Sequence, residues 1–336
     1  MSFKSGFVCI LGKPNAGKST LLNALAGEKL AIVTPKPQTT RNRVQGILNI
    51  PKKEGQSGAQ VIFVDTPGVH KAESSLGKQM MREVHGALEG CDLIYWICDA
   101  TKKLEPGDQA VLEMAKKSRT AVFLLLNKVD LLDKQKLLPV IEQFSELHNF
   151  NEIIPISALR KDGIDRLLEA TVDVLPEGPR YFPEDEVTDL PVRFMAAEAI
   201  REQVLMATKE EVPHSTAVVI EQFEEGKRLT RISAAIFCER EGQKAILVGK
   251  GGQMLKLIGT KARLEIEKLV GTKVFLALFV KVQANWRDSD RFVDGLDWRR
   301  QLEGLTGVAT EAAPAAARIP AKKARRREVT RTAGRA

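Results

Sequence analysis

The run GKPNAGKS, Gly12 to Ser19, places two glycines, a lysine and a hydroxyl at the spacing G-x-x-x-x-G-K-[ST]. It follows the apolar run FVCIL and opens a helical pattern over Lys18–Ala26. A glycine-rich turn between a buried strand and a helix presents several backbone N–H groups, and the positive end of the helix, to one small anion. A polyphosphate fits that description. Gly12, Asn15, Ala16, Gly17, Lys18, Ser19 and Thr20 would line it. The Lys18 ammonium would neutralise its β- and γ-oxygens, and the Ser19 hydroxyl would ligate Mg2+.

Three later segments extend the site. DTPG (Asp65–Gly68) ends the third strand-like run, where the carboxylate can reach the Mg2+ hydration shell and Gly68 can offer its N–H to a γ-phosphate. NKVD (Asn127–Asp130) ends the fifth run; Asp130 can accept from guanine N1–H and N2–H2 while the Lys128 stem lies over the purine plane. Adenine has neither donor and would leave a buried carboxylate unpaired, a penalty of several kcal/mol, or about 10⁴-fold in discrimination. SAL (Ser157–Leu159) follows the sixth run and brings the Ala158 N–H near guanine O6. Asn127, Lys128, Asp130, Ser157, Ala158 and Leu159 are therefore the candidate guanine contacts. Each short motif alone is a weak signal. In this order, each at the C-terminal end of a strand, they are strong, because open α/β sheets bind ligands along that edge.

The elements that must position these residues alternate. Strand-like runs cover Gly6–Leu11, Arg43–Ile50, Gln60–Val64, Asp92–Cys98, Ala121–Leu126 and Glu152–Ile156. Helical patterns cover Lys18–Ala26, Lys78–Glu89, Asp108–Lys117, Lys134–Leu147 and Gly163–Leu175. Only the second and third strands lack a helix between them; PKKEGQSG (Pro51–Gly58) joins them as a hairpin. The expected fold is α/β, a mostly parallel sheet with one antiparallel edge strand and helices on both faces. LPEGPRYFPEDEVTDLP (Leu175–Pro191), rich in proline and acid, reads as a linker. Beyond it come a helix (Arg193–Lys209), strands (Thr216–Glu224 and Thr230–Arg240), helices (Lys244–Val248 and Gly252–Val270) and a strand (Lys273–Gln283).

A second glycine-lysine loop, GKGG (Gly249–Gly252), lies between those two helices. It lacks the eight-residue frame and a following Ser or Thr, so it is not a second nucleotide site. A G-x-x-G turn in an α-β-β-α-α-β order is instead the signature of the bacterial (type II) KH fold, whose backbone clamps about four nucleotides of a single strand. Gly249, Lys250, Gly251 and Gly252 form the clamp; Lys256, with Lys261 and Arg263, adds positive charge along the next helix. Of Ile246, Leu247, Leu255, Leu257 and Ile258, some must be core and the rest, Ile246 among them, can floor a groove for bases. Aromatic residues are few here, which argues against stacking platforms of the RRM kind.

The first ~175 residues resemble a translation-factor-class P-loop GTPase, and PKPQTTRNRVQGI (Pro35–Ile47) resembles the switch I of the Era/TrmE group. To about Leu296 the chain is similar to the Era family within that group, through its FPED linker and REGQKAILVGKGGQMLKLIG. The resemblance implies that Thr40 closes onto Mg2+ in the GTP state, although Thr39 stands as an alternative ligand. Ser19, Thr40 and Asp65 are then the metal set, and Lys18, Thr40 and Gly68 the catalytic set. It implies that Asn15 helps hold a K+ that replaces an arginine finger; an Asn that merely suits a tight loop is the other reading. It implies binding near the 3′ end of small-subunit rRNA, a role in assembly of the small ribosomal subunit with nucleotide state gating RNA access, and loose contact with the inner membrane. A monomer is expected. The implied organisation is a GTP-binding domain (1–175), a linker (176–192), a type II KH RNA-binding domain (193–285), a C-terminal segment (286–304) and a basic disordered tail (305–336).

Two features depart from simple expectation. Ras-like enzymes orient the attacking water with a Gln directly after the D-x-x-G glycine; here Val69 stands there, followed by His70, so unassisted hydrolysis should be slow. The formal charge is +8, and Glu311–Ala336, with eight Lys or Arg against two Glu, carries +6 of it. Such an arm favours a polyanion, nucleic acid or acidic membrane. The scattered cysteines Cys9, Cys91, Cys98 and Cys238 read as small buried hydrophobes of a reducing cytoplasm. No apolar run reaches the roughly 20 residues that span a bilayer. A membrane-surface signalling GTPase, and an RNA chaperone with a structural nucleotide site, are the competing readings.

Overall fold

The computed structural model of the chain describes residues 2–52, 58–69 and 71–300. His70 and the basic run of residues 305–336 lie outside the described residues, as does the middle of the Pro51–Gly58 connection.

The first half runs β1 (Lys4–Leu11), α1 (Lys18–Ala26), β2 (Val44–Ile50), β3 (Ala59–Asp65), α2 (Ser75–Leu88), β4 (Leu93–Asp99), α3 (Pro106–Ser118), β5 (Ala121–Asn127), α4 (Lys134–Ser145), β6 (Glu152–Pro155) and α5 (Ile164–Val174). The sheet order is β2-β3-β1-β4-β5-β6. Every pairing is parallel except β2 with β3, where Ile47 faces Ile62. The doubly covered sheet with one antiparallel edge strand is thus the fold that the alternation of elements predicts. α2 begins three residues before its expected start because the Ser74 hydroxyl accepts from the Gly77 N–H at 3.1 Å and caps it there.

Near-continuous apolar strands need cover on both faces, and alternate residues supply it. Val8, Ile10, Phe63, Tyr95 and Phe123 join a core with Leu21, Leu22 and Leu167 from α1 and α5. Their neighbours Cys9, Leu11, Val64, Trp96 and Leu124 join a second core with Val84, Val111 and Phe144 from α2, α3 and α4. Side chains so enclosed hold the strand ends, and hence the loops that leave them, in fixed relative positions.

The second half runs α6 (Val192–Ala207), β7 (Ala217–Glu224), β8 (Leu229–Cys238), α7 (Glu241–Val248), α8 (Gln253–Val270), β9 (Lys273–Val282) and α9 (Asp290–Asp294). Its sheet, β7-β8-β9, pairs β7 with β8 antiparallel and β8 with β9 parallel. The order of elements to β9 is that of a type II KH domain. Ala196, Ile200 and Val204 of α6 and Ile258, Ala262 and Ile266 of α8 pack on Ile232, Ala234 and Ile236.

Two segments are more firmly held than their composition suggests. Residues 176–191 lie along the first half instead of hanging between the two. Buried Gln60 accepts from the Tyr181 and Phe182 N–H groups at 2.8 and 3.0 Å and donates to the Phe182 carbonyl at 2.9 Å. The Ile47 N–H donates to Val187 O and the Thr188 hydroxyl to Gln45 O, so the free edge of β2 is partly covered. The residues after β9 form a wedge: Trp286 and Val293, both buried, pack with Ala217 of β7 against Leu76 and Met80 of α2. Cys9, Cys98 and Cys238 are buried and Cys91 is half-buried, all as free thiols. Among the described residues no helix is long and apolar enough to cross a membrane.

Candidate functional site

A cleft of about 470 Å³ opens at the C-terminal edge of the large sheet, between the β1–α1 loop and residues 32–40. Gly17 sits at φ 104°, where a side chain is strained, and a Cβ there would stand 2.2 Å from Asn127 Nδ2. Gly12 and Gly68 are similarly crowded, against the Ile97 carbonyl and against Pro14. Only glycine lets these three backbones close the loop.

Lys18 is buried, and its Nζ donates to the carbonyls of Gly12 (3.2 Å) and Lys13 (3.0 Å). Burial lowers its pKa to about 8, against the opposing pull of Asp65. Asp65 is fully enclosed, and burial pushes its carboxyl up to about 6, against Lys18, Ser19 and Thr40, which favour the ionised form. The Ser19 hydroxyl donates to Asp65 Oδ2 at 2.7 Å and lies 2.8 Å from Thr40 Oγ1, which itself reaches Oδ2 at 3.3 Å. Asp65 Oδ1 meets no donor in hydrogen-bonding geometry among the described residues.

These three oxygens suit Mg2+. Octahedral coordination at 2.0–2.1 Å places neighbouring ligand oxygens about 2.9 Å apart, close to the spacings found. Thr39 is turned the other way, its hydroxyl bonded to Lys36 O and Thr34 Oγ1, both at 2.7 Å. Asn15 takes φ 63° and donates from Nδ2 to Pro35 O at 3.1 Å, tying the first loop to the second. Ala16 is buried beneath the loop and Thr20 borders the cleft. Val69 is buried, with its N–H donating to Gly12 O, so its side chain faces core and not the cleft.

On the base side, two of the residues expected at guanine also bond within the chain. Asn127 braces two loops: Nδ2 donates to Ala16 O at 2.8 Å and Oδ1 accepts from Ala158 N at 3.0 Å. The Ala158 N–H thereby supplies the donor that the carbonyl of so deeply buried an asparagine requires. Lys128 borders the cleft, its Nζ bonded to Asn15 O (2.9 Å) and Asp99 Oδ2 (2.7 Å). The Asp130 side chain is buried and meets the exposed Arg160 at 3.3 Å. Ser157 Oγ accepts from the Arg160 N–H and holds the turn, while Leu159 points to solvent.

The second loop sits apart, in the C-terminal half. Gly249, Gly251 and Gly252 all have positive φ, and a Cβ at Gly251 or Gly252 would meet nothing, so a ligand backbone can approach there. Lys250 at the tip and Lys256 on α8 are exposed. The aliphatic residues divide as the groove requires: Leu247 and Ile258 are core, whereas Ile246 and Leu257 are about half exposed. The opposite face of the same sheet carries two exposed rings, Phe275 and Phe279 on β9, which the paucity of aromatics concealed.

Also invisible to sequence reading are three charged side chains that join the halves. Arg201 of α6 donates to Thr39 O, Glu202 accepts from the Val33 N–H at 3.1 Å, and Arg41 donates to Thr216 O at 2.6 Å. Burial, with a smaller contribution from the nearby Arg201, lowers the Arg41 pKa to about 9. A charged residue on a surface-like helical pattern gives no hint that it will be buried against another domain.

Residues 7–128 match the sequence model of a family described as 50S ribosome-binding GTPase, and residues 211–287 match that of the KH domain. The chain is 49% identical over 293 residues to GTPase Era of Syntrophus aciditrophicus, covering 87% of this chain and 94% of that protein. It is 47% identical over 298 residues to GTPase Era of Geobacter metallireducens, covering 88% and 98%. Its fold is similar to a crystal structure of Era in complex with MgGDPNP and nucleotides 1506–1542 of 16S ribosomal RNA, with TM-score 0.84, 41% identity, and coverage of 88% of this chain and 99% of that one. It is similar also to a substituted Aquifex aeolicus Era bound to GDP·AlF4−, with TM-score 0.83, 42% identity and coverage of 88% and 99%.

Proposed function

The chain belongs to the Era family of GTPases, and from that premise we propose that its GTP/GDP state switches the binding of its KH domain near the 3′ end of small-subunit rRNA, in assembly of the small ribosomal subunit. The observation that carries this reading is the meeting of Ser19, Thr40 and Asp65 beside Lys18: a phosphate loop, a switch threonine and a DTPG carboxylate already in register. The rRNA target is supported by the Era complex with a 16S rRNA segment and by the exposed GKGG turn with Lys250, Lys256 and Ile246 around it. Residues 1–175 act as the nucleotide domain, 176–192 as the connection, 193–285 as the RNA-binding domain and 286–304 as the C-terminal segment, whose described part, through Trp286 and Val293, braces the two.

Ser19, Thr40 and Asp65 would hold Mg2+, and Thr40 takes this role over Thr39 because only its hydroxyl faces the carboxylate. When bound, the ion neutralises charge on the β- and γ-phosphate oxygens. Lys18 adds a second positive charge from beneath, and its partial desolvation strengthens that interaction. Backbone N–H groups of Asn15 through Thr20 line the phosphates, and the Gly68 peptide, packed on Pro14, stands where the γ-phosphate would reach. Asp130 selects guanine; Asn127 serves by holding the Ala16 and Ala158 loops at a fixed separation. No side chain at position 69 can hold the attacking water, which supports slow turnover without an activator.

The K+ reading draws support from the pairing of Asn15 with the Pro35 carbonyl, two oxygen-bearing groups at the mouth of the phosphate loop. We take the acting unit to be a single chain, to be checked by light scattering. The membrane contact rests on the basic run of residues 311–336 alone, and deletion of that run with liposome and RNA binding as readouts tests it. The experiment that tests the main reading is cross-linking of the GTP-bound protein to cellular RNA. Fragments from the 3′ end of small-subunit rRNA are expected; tRNA or mRNA without them would overturn it.

A further inference from the structure

Thr40 does not hold its own position. The stretch from Val33 to Arg41 crosses from α1 to β2 without regular structure, and the C-terminal half grips it at three points. At its start the Val33 N–H donates to Glu202 Oε1, whose other oxygen is paired with Lys29 at 2.6 Å. At its end Arg41 donates to Thr216 O (2.6 Å) and His214 O (3.3 Å) and lies over the Trp286 ring, 5.6 Å from its centre. Between them Arg201, only 3% exposed, donates from Nη2 to the Thr39 carbonyl.

Arg201 is itself immobilised. Glu198, one helical turn earlier, takes Nε at 2.7 Å and Nη2 at 2.6 Å, a two-point pairing that fixes the plane of the guanidinium. The Thr39 carbonyl belongs to the peptide plane that also contains the Thr40 nitrogen and Cα. Holding that oxygen leaves the Thr40 hydroxyl dependent on one backbone rotation and a β-branched side chain with few rotamers. The hydroxyl then falls 2.8 Å from Ser19 Oγ and 3.3 Å from Asp65 Oδ2.

We propose that Arg201, oriented by Glu198, is a positioning residue for Thr40, so that the RNA-binding half of the chain contributes in cis to closure of the nucleotide site. The inference rests on the GTPase reading above and names the residues through which the second half would act. Thr40 matters where a γ-phosphate is present, so Arg201 should influence GTP turnover and Mg2+ use but leave GDP affinity alone. Because coupling free energies are reciprocal, whatever moves α6 also biases Thr40. α6 packs along α8, the helix that the GKGG turn opens.

The test uses the full-length chain. In Arg201→Gln, kcat for GTP should fall about 10- to 100-fold, the span expected for loss of a hydrogen bond from a charged donor. The Mg2+ concentration for half-maximal turnover should rise, and the GDP dissociation constant should stay within about twofold, since the phosphate loop is untouched. Arg201→Lys keeps the charge but not the fork, and should restore only part of the rate. Glu198→Gln loosens Arg201 without removing it; it should give an intermediate loss with the same GDP affinity, and it carries the test if Arg201→Gln does not fold. Unchanged turnover and Mg2+ dependence in Arg201→Gln and Glu198→Gln would overturn the proposal, as would GDP affinity falling in step with turnover. An unsubstituted chain that does not turn over GTP would instead refute the GTPase reading beneath it.

Discussion

Replacing Asp65 by asparagine should stabilise the nucleotide-free, Mg2+-free chain while abolishing Mg2+-dependent turnover. The Asp65 carboxyl is enclosed, and burial lifts its pKa from 3.8 to about 6. Its folded-state value therefore lies above its unfolded one, and between pH about 4 and 6 the folded chain keeps a proton that the unfolded chain has released. Stability from this group is full below pH about 4 and lost as pH rises through about 6. Above that, the ionised carboxylate costs the folded state about 3 kcal/mol, roughly two pKa units at ~1.4 kcal/mol each. Asparagine has the same shape, cannot ionise, and still accepts from Ser19. The attraction to Lys18 is already contained in that pKa, so the gain should be about 3 kcal/mol at pH 7.5. Urea unfolding of both proteins in EDTA, from pH 4.5 to 7.5, reads this directly. The variant should be about as stable as the parent at the acid end and more stable at the neutral end. A difference that does not change with pH, or a variant less stable than the parent at pH 7.5, would refute the reasoning.

Asp130→Asn should weaken GTP binding by at least about 100-fold, because the partner of guanine N1–H and N2–H2 is lost, with xanthine nucleotides gaining in a competition assay. Lys250→Ala should lower affinity for single-stranded RNA and reduce the slope of log affinity against log salt by about 0.7, as for one lost phosphate contact; an unchanged slope would remove Lys250 from the interface. GTP turnover should be faster in K+ than in Na+ buffer, and Asn15→Ala should erase the difference; equal parent rates would leave Asn15 with its loop role alone. Unassisted turnover should lie at about 10⁻⁴ to 10⁻² s⁻¹, and a rate above about 10 s⁻¹ would mean that a water-positioning group has been overlooked.

The parts of the site legible in the sequence are those whose chemistry is local. Gly17, Lys18 and Ser19 sit within one turn, so their spacing alone places them, and the strand-then-loop pattern put Asp65 and Asp130 on the same edge. The element order α-β-β-α-α-β likewise fixed what GKGG could be. Illegible were contacts made by residues distant in sequence. The brace that Asn127 makes between Ala16 and Ala158 appears only once β1, β5 and β6 are placed in one sheet. Thr39 and Thr40 are indistinguishable by type, and only the folded chain shows the Thr39 hydroxyl bonded back to Lys36 while that of Thr40 reaches Asp65. The Leu175–Pro191 stretch has the composition of a free connector, yet one buried glutamine, Gln60, pins it. Arg201 and Trp286 carried no signal at all.

That pinned stretch has a consequence for how the chain is made. During synthesis the β2 edge emerges early and, until covered, is open to pairing with a neighbouring nascent chain. Residues 176–191, the sixteen that follow α5 and its end, carry the groups that dock on Gln45, Ile47 and Gln60. At about 5–20 residues per second they follow α5 within roughly 1–3 s, and β2 within roughly 7–28 s, before the second half is complete. The first half can therefore seal its own edge while still attached to the ribosome that is making it, and a fragment ended at Leu175 would lose that seal.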